Sequence, residues 1–395
     1  MKTVKMVGFV LFLSFLTGCW DLRELGDITV VTGMAIDKGE HKRYKLTIEG
    51  LNAAELNAKT ARGDAPSVVY SLEGETVAEL SQKMNTGISR ELIYSHVRTV
   101  VISEDLARAG MLDFLDFLER SREIRDDLMF LLSKGRADET LRVTYPIEKA
   151  STMKLAIQMQ TITDNWGGNP DIRLKDMIDA LVSPGREPVL AAIRVQGKKE
   201  KGNTVDNMKS VTPGVMVVLD SLAVFKKDRY LGDLNIVDSR NYLLIHGNVK
   251  LTSLTIPCGK GKDMAIRVNN ASSERKAKYI HGKPHINIHL YLESRLDGTQ
   301  CTDDLTKPET YLKYEKLISD AVSREVESTI KRVQEKFKVD IFGFGEDMYR
   351  QDFKQFEKVK DHWNEEFVLA DVQVHTSVIL RRSGIRTKSF MTEIK

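Results

Sequence analysis

Between residues 311 and 337, Tyr311, Tyr314, Ile318, Val322, Val326, Ile330, Val333 and Phe337 recur every three or four positions, opposite a heavily charged face. Such a stripe defines a long amphipathic helix, which must lay its apolar face on a surface of similar length. The spacing is not strictly heptad, so a sheet is the better counterpart than a partner helix. A strand with one buried face lies just upstream: Ile286, Ile288, Leu290 and Leu292 alternate with His285, Asn287, His289, Tyr291 and Glu293. Residues 369–380 close the chain with a second alternating strand. The second half is therefore expected to be β-rich and to carry one dominant helix.

The first half mixes both periods. Residues 28–36 are apolar and β-prone, a turn-rich DKGEHK follows, and Tyr44, Leu46 and Ile48 alternate with polar residues, which predicts a hairpin. Val77, Leu80, Met84 and Ile88 share a helical face. Residues 97–102 form a buried-type strand, and Ser103 stands where it can cap a helix opening on Glu104 and Asp105. After a second apolar helix face, residues 128–132 are again strand-like, so the order suggests a βαβ crossover in a mixed sheet. Leu174, Met177, Ile178 and Leu181 mark one more helix. The polar QGKKEKGNTVDNMKS at 196–210 predicts a boundary or long exposed loop, followed by LAVFKKDRYLG, a tight hairpin. The expected class is α+β, with mixed sheets and packed helices. Its expected divisions are residues 19–195, a linker or exposed loop at 196–212, and residues 213–395.

The N-terminus sets the compartment. Residues 1–5 carry two lysines and no acid, and residues 6–16 carry no charge at all. That stretch has signal-peptide length and falls short of the roughly 20 residues that span a bilayer. Leu16, Thr17, Gly18 and Cys19 then form a lipobox: small residues admit the cleaved bond to the peptidase, and the thiol accepts diacylglycerol. Residues 1–18 are predicted to be a signal peptide and Cys19 the lipid attachment site, with two or more acyl chains giving firm anchoring. No later segment approaches membrane length, so the remainder is expected to be tethered outside the cytoplasmic membrane. Cys258 and Cys301 then sit in a disulfide-permissive compartment, either bridged or as two unrelated, partly buried thiols.

Charge and motifs narrow the function. The formal charge is +3, from 59 basic and 56 acidic residues, which supplies no concentrated basic face for nucleic acid. His281, His285 and His289 are four apart, yet Gly282 and Pro284 break a helix there. Four strand residues span roughly 13 Å, too far for two ligands on one zinc. Ser151 and Lys154 match Ser-x-x-Lys, but the Lys-Thr-Gly strand of penicillin-binding enzymes is missing from the sequence. Gly343 and Gly345 lack the third glycine of a phosphate loop, and a chain reversal after the long helix fits them better. No catalytic residue, cofactor or metal site is expected.

Several stretches in order carry a family resemblance. They are Cys19, Trp20 and Asp21 leading to LRELGD and ITVVTGMAID; Gly74, Glu75 and Thr76; and Ser95 and His96 before VRTVVIS and EDLARAG. LAVFKKDRYLG, the Asp340 to Gly345 stretch DIFGFG, and Trp363 complete the set. The chain resembles the Ger(x)C family, the lipoprotein C subunits of spore nutrient germinant receptors. The resemblance implies a multi-domain α+β fold and a non-enzymatic subunit on the outer face of the inner spore membrane. It also implies partnership with a multi-spanning A subunit and a transporter-like B subunit. Only Cys19 carries over with a chemical role; Trp20 and Asp21 either position the first domain against membrane or partner, or simply begin the fold. The alternative is a solute-binding lipoprotein of an importer, which calls for two similar α/β lobes around an aromatic-lined cleft.

Overall fold

The computed structural model describes residues 26–56, 59, 61–148 and 150–381. The leader, Cys19, Trp20 and Asp21 lie outside these residues.

The first sheet has nine strands: β1 (Ile28–Lys38), β2 (Tyr44–Leu51), β3 (Ser67–Gly74), β4 (Glu91–Ile93), β5 (Thr99–Ser103), β6 (Met129–Ser133), β7 (Val189–Gly197), β8 (Val215–Lys226) and β9 (Arg229–Leu234). Their order is β3-β2-β1-β5-β6-β7-β8-β9, with β4 beside the start of β1. The pairs β1/β5, β5/β6 and β6/β7 are parallel, and hairpins flank them on both sides. Parallel strands must be covered on both faces. On one face Met34, Ile36, Val100, Ile102, Phe130 and Leu132 meet Leu80 of α1 (Val77–Lys83), Leu106 of α2 (Glu104–Ala109), Phe114 of α3 (Leu112–Arg120) and Met177 of α5 (Leu174–Val182). On the other face Ala35, Val101 and Leu131 meet Leu155 and Met159 of α4 (Ser151–Trp166). The β5–α2–α3–β6 passage is the predicted crossover.

One detail differs from the sequence reading: Ser103 occupies the N-cap position of α2 but makes no capping bond, being still a paired strand residue opposite Ser133. Of the two alternatives for 196–212, the structure has a largely exposed loop inside a hairpin: Gly197 pairs with Val215, and the first sheet runs on to Leu234.

The second unit begins with α6 (Ile236–Ile245) and has four strands, β10 (Thr252–Gly259), β11 (Lys262–Ile280), β12 (Lys283–Thr299) and β13 (Asp371–Arg381), in sequential order with β12/β13 parallel. The long helix is α7 (Pro308–Lys336). Its Tyr314, Ile318, Val322, Val326, Ile330 and Val333 share a core with Ile286, Ile288, Leu290, Leu292, Val374 and Leu380. The opposite sheet face, with His289, Tyr291, Gln373 and His375, is open to solvent. Three short helices, α8 (Phe344–Gln351), α9 (Phe353–Val359) and α10 (Trp363–Leu369), join α7 to β13.

Helix α7 also covers the outer edge of β13. Glu327 Oε1 accepts from Val374 N–H at 3.1 Å, Glu315 Oε1 accepts from Leu380 N–H at 2.8 Å, and Ser319 Oγ donates to the Thr376 carbonyl at 2.7 Å. Groups that would otherwise offer a pairing template are thereby taken up.

Cys258, on β10, and Cys301, just past β12, are bridged, with Cα atoms 6.3 Å apart and a sequence separation of 43. The bridge ties β10 to the segment leading into α7. Closing a loop of that length restricts the unfolded chain, so Cys258→Ser/Cys301→Ser should lose about 2–4 kcal/mol. Urea melts of the two proteins, with and without reductant, check this: reductant should lower the parent to the variant and leave the variant unmoved.

Candidate functional site

The junction of the two units is built from short-range chemistry at both ends. On the first side, residues 183–188 connect α5 to β7. On the second, residues 338–343 lead from α7 into α8, which Gly343 opens with φ 74°. Asp340 lies at the centre, fully buried. Its Oδ1 accepts from the N–H groups of Phe342 at 2.9 Å and Gly343 at 3.0 Å. Its Oδ2 accepts from Gly345 N–H at 2.9 Å and from Trp363 Nε1 at 2.8 Å. Successive amides wrapped around an anion form the kind of nest that holds phosphate elsewhere. Here the chain's own carboxylate fills it, which gives DIFGFG its physical meaning. Burial pushes the Asp340 carboxyl up to about 7, against the pull of Trp363, the Gly345 and Phe342 amides and the Arg275 charge.

The same loop grips the first unit. Glu187 N–H donates to the Asp340 carbonyl at 2.7 Å, and Asp340 N–H donates to Asn364 Oδ1 at 3.0 Å. Asn364 Nδ2 in turn donates to Glu187 Oε1 at 2.7 Å, closing a ring of bonds across the junction. Ser183 Oγ donates to Glu346 Oε1 at 2.6 Å, and Arg186 stands 3.1 Å from the same oxygen. At the closest point two glycines meet backbone to backbone. A Cβ on Gly345 would lie 2.5 Å from Gly185 Cα, and Gly185 itself has φ 101°. No larger residue fits either position.

Two more buried carboxylates do similar work inside the first unit. Glu49 of β2 accepts from Ser151 N–H and Thr152 N–H, both at 2.9 Å, and so caps α4, where the helix dipole favours negative charge. Asp37, at the end of ITVVTGMAID, accepts from the N–H groups of Ala137 at 2.7 Å and Asp138 at 2.9 Å. Burial, helped by the neighbouring Asp138 charge, raises the Asp37 carboxyl to about 6. Neither role was read from the sequence. Alternation gave no signal for them: Glu49 falls on the face opposite Tyr44, Leu46 and Ile48, and Asp37 opposite Met34 and Ile36, so each reads as solvent-facing until the second covering layer is known.

The residues singled out by sequence sit apart from this junction. Ser151 Oγ donates to the Val143 carbonyl, while Lys154 Nζ donates to the Val217 carbonyl at 2.6 Å and is held down to about pKa 8 by burial. Each is committed to the backbone. His281 lies in the β11–β12 turn with φ 48°, His285 is 3.4 Å from Asp371, and His289 stacks on Tyr291. Among the described residues no group of three or more His, Cys, Asp or Glu side chains is placed to hold a metal ion. Asp228, at the tip of the LAVFKKDRYLG hairpin, accepts from Met111 N–H at 2.8 Å and Leu112 N–H at 3.3 Å. That hairpin therefore anchors the start of α3, as a folding element.

This two-unit architecture matches known proteins along its length. The model for the spore germination protein N-terminal domain covers residues 21–195, and that for the spore germination B3/GerAC-like C-terminal domain covers residues 220–384. The chain belongs to the Ger(x)C family of spore germination proteins. Spore germination protein KC of Bacillus subtilis (strain 168) is 28% identical over 403 residues, covering 100% of this chain and 99% of the relative. Spore germination protein B3 of the same strain is 21% identical, covering 95% and 97%. The crystal structure of the GerBC protein superposes with a TM-score of 0.54 over 88% of this chain and 96% of that one, at 16% identity, and so shares the fold.

Gly345→Ala should destabilise the chain by about 1–3 kcal/mol through overpacking at the glycine contact. Chemical denaturation should show this, and Gly345→Ala in a Gly185→Ala background should cost less than the sum of the two. Asp37 and Asp340 both have folded pKa values raised above the unfolded one, so at these two groups the folded state holds more protons between about pH 4 and 7, and they make stability fall as pH rises through that window. His246, whose folded pKa is pushed down to about 3 by burial, acts in the opposite sense over part of it. The test is therefore a difference: in urea melts at pH 5 and pH 7, Asp37→Asn should shift the pH dependence toward higher relative stability at pH 7 than the parent shows.

Proposed function

We propose that this chain is the lipid-anchored C subunit of a nutrient germinant receptor. Cys19 holds it on the outer face of the inner spore membrane, and it assembles there with a multi-spanning A subunit and a transporter-like B subunit. The observation that carries this reading is the two-part family match spanning both folded units, together with relatives named as spore germination proteins over essentially their whole length. The leader pattern supports the anchor. Its contribution is non-enzymatic: the buried carboxylates and glycines at the junction are spent on holding two units in one arrangement, as suits a subunit that is pressed or pulled by its companions.

The importer-protein alternative loses ground on architecture. One unit is a nine-stranded mixed sheet covered on both faces, and the other is a four-stranded sheet with one face open. They are not a pair of similar lobes.

Affinity purification of the tagged chain from spore membranes in mild detergent should recover a multi-spanning partner. Recovery of an importer permease instead would refute the receptor reading. Cys19→Ala should leave the melting temperature unchanged, shift the chain from the membrane to the soluble fraction, and impair germination. Full membrane retention with normal germination would remove both the anchor and its role.

A further inference from the structure

Four strand edges in this chain are closed. Along β13 the side chains of α7 take up the backbone groups. Where β11 runs on past β10, Ala271 N–H donates to the Val249 carbonyl, Ala277 N–H to Gln351 Oε1 at 2.9 Å and Tyr279 N–H to Asp352 Oδ2 at 3.1 Å. On β10, Arg240 Nη1 donates to the Ser253 carbonyl at 3.3 Å, and Pro257 has no N–H to offer. Strand β9 is short, and Lys336 Nζ donates to its Asp233 carbonyl at 3.2 Å. Devices of this kind keep sheets from pairing edge to edge.

Strand β3 lacks them. Its eight residues, SVVYSLEG, include no proline, lysine or arginine, and it pairs with β2 without a bulge. Among the described residues, no group outside β2 bonds to a backbone N–H or carbonyl of β3. Val68 stands 56% exposed at this edge, and Tyr70 and Leu72 on the same face are only partly buried. On the other face a cavity of about 220 Å³ lies beside Ser67 and Val69, lined also by Leu141, Val143, Val205 and Met208. It leaves room for the alternate side chains of an added strand.

What fits such an edge is another strand, and β3 is its own complement. Laid antiparallel against a second copy about Tyr70, it sets Val68 opposite Leu72, Tyr70 opposite Tyr70 and Val69 opposite Ser71. One face then carries an unbroken ladder of apolar and aromatic pairs, the kind that stabilises an antiparallel sheet. Glu73, the only charge on the strand, falls opposite Ser67, so no like charges meet.

We infer that β3 is a self-association edge, through which two copies of this chain join their first sheets across a two-fold axis. An interface built on one eight-residue strand is small, so association at about tens of micromolar is expected rather than a permanent dimer. The inference stands on the chemistry of the edge and does not rest on the receptor assignment.

Sedimentation velocity and hydrogen exchange of the full chain test it, in mild detergent with micelles in excess, over about 1 to 100 μM. The dimer fraction should rise with concentration. The amides of residues 67–74 should slow in exchange alongside it, while those of β13 stay unchanged. Val68→Lys alters an exposed side chain, so it should keep the melting temperature. It should weaken association about tenfold, because both symmetry-related Val68–Leu72 pairs are lost. Should that variant melt early, the concentration dependence of exchange in the parent decides alone. Three results would overturn the proposal: a monomer throughout the range, a dimer whose β3 amides exchange as in the monomer, or undiminished association in a Val68→Lys chain of normal melting temperature. So would protection of β3 that appears only when a different protein is added, which would give the edge to that partner instead. Germination is not the readout, so failure here leaves the receptor reading standing.

Discussion

A single buried carboxylate organises the meeting of the two units. Asp340 gathers three backbone amides and an indole N–H around itself. In doing so it fixes the turn that starts α8, sets Trp363 in place, and holds Gly345 where Gly185 can reach it. An anion removed from water is costly unless it is hydrogen-bonded on every side. The four donors together offset that cost. Its own backbone amide and carbonyl extend the same network to Asn364 and Glu187.

Glu49 and Asp37 repeat the device within the first unit, each supplying from a strand the negative charge that a following backbone turn lacks. Sites of this kind bind exogenous phosphate in nucleotide enzymes. In this chain the positions are filled internally, so the fold uses them for register rather than for chemistry.

How much of this was legible depended on where each element finds its partners. Helix α7 and strands β12 and β13 were readable because their apolar period is local, and one face of each is wet. The charged β11 escaped notice because its solvent face carries Arg267, Glu274, Lys276 and Lys278, and beyond the short alternation of Met264, Ile266 and Val268 only Ala271 and Ala277 are buried. Helix α6 was invisible for the opposite reason. Asp238, Arg240 and Asn241 are buried on it, satisfied by Arg332, Glu325 and Thr329 far along the chain. The stretch at 196–212 was read as a possible boundary because exposure and a boundary leave the same polar composition. At the junction, the DIFGFG stretch stood out as a turn, but nothing in the sequence could announce that its glycine would lie against Gly185, some 160 residues away.

The outer edge of β13 gives the second unit a further property. With Glu315, Ser319 and Glu327 occupying the Leu380 and Val374 N–H groups and the Thr376 carbonyl, another strand could pair along that flank only by displacing these side chains. The helix thus supplies, through three side chains spaced four and eight residues apart, hydrogen bonds that a neighbouring strand would otherwise give.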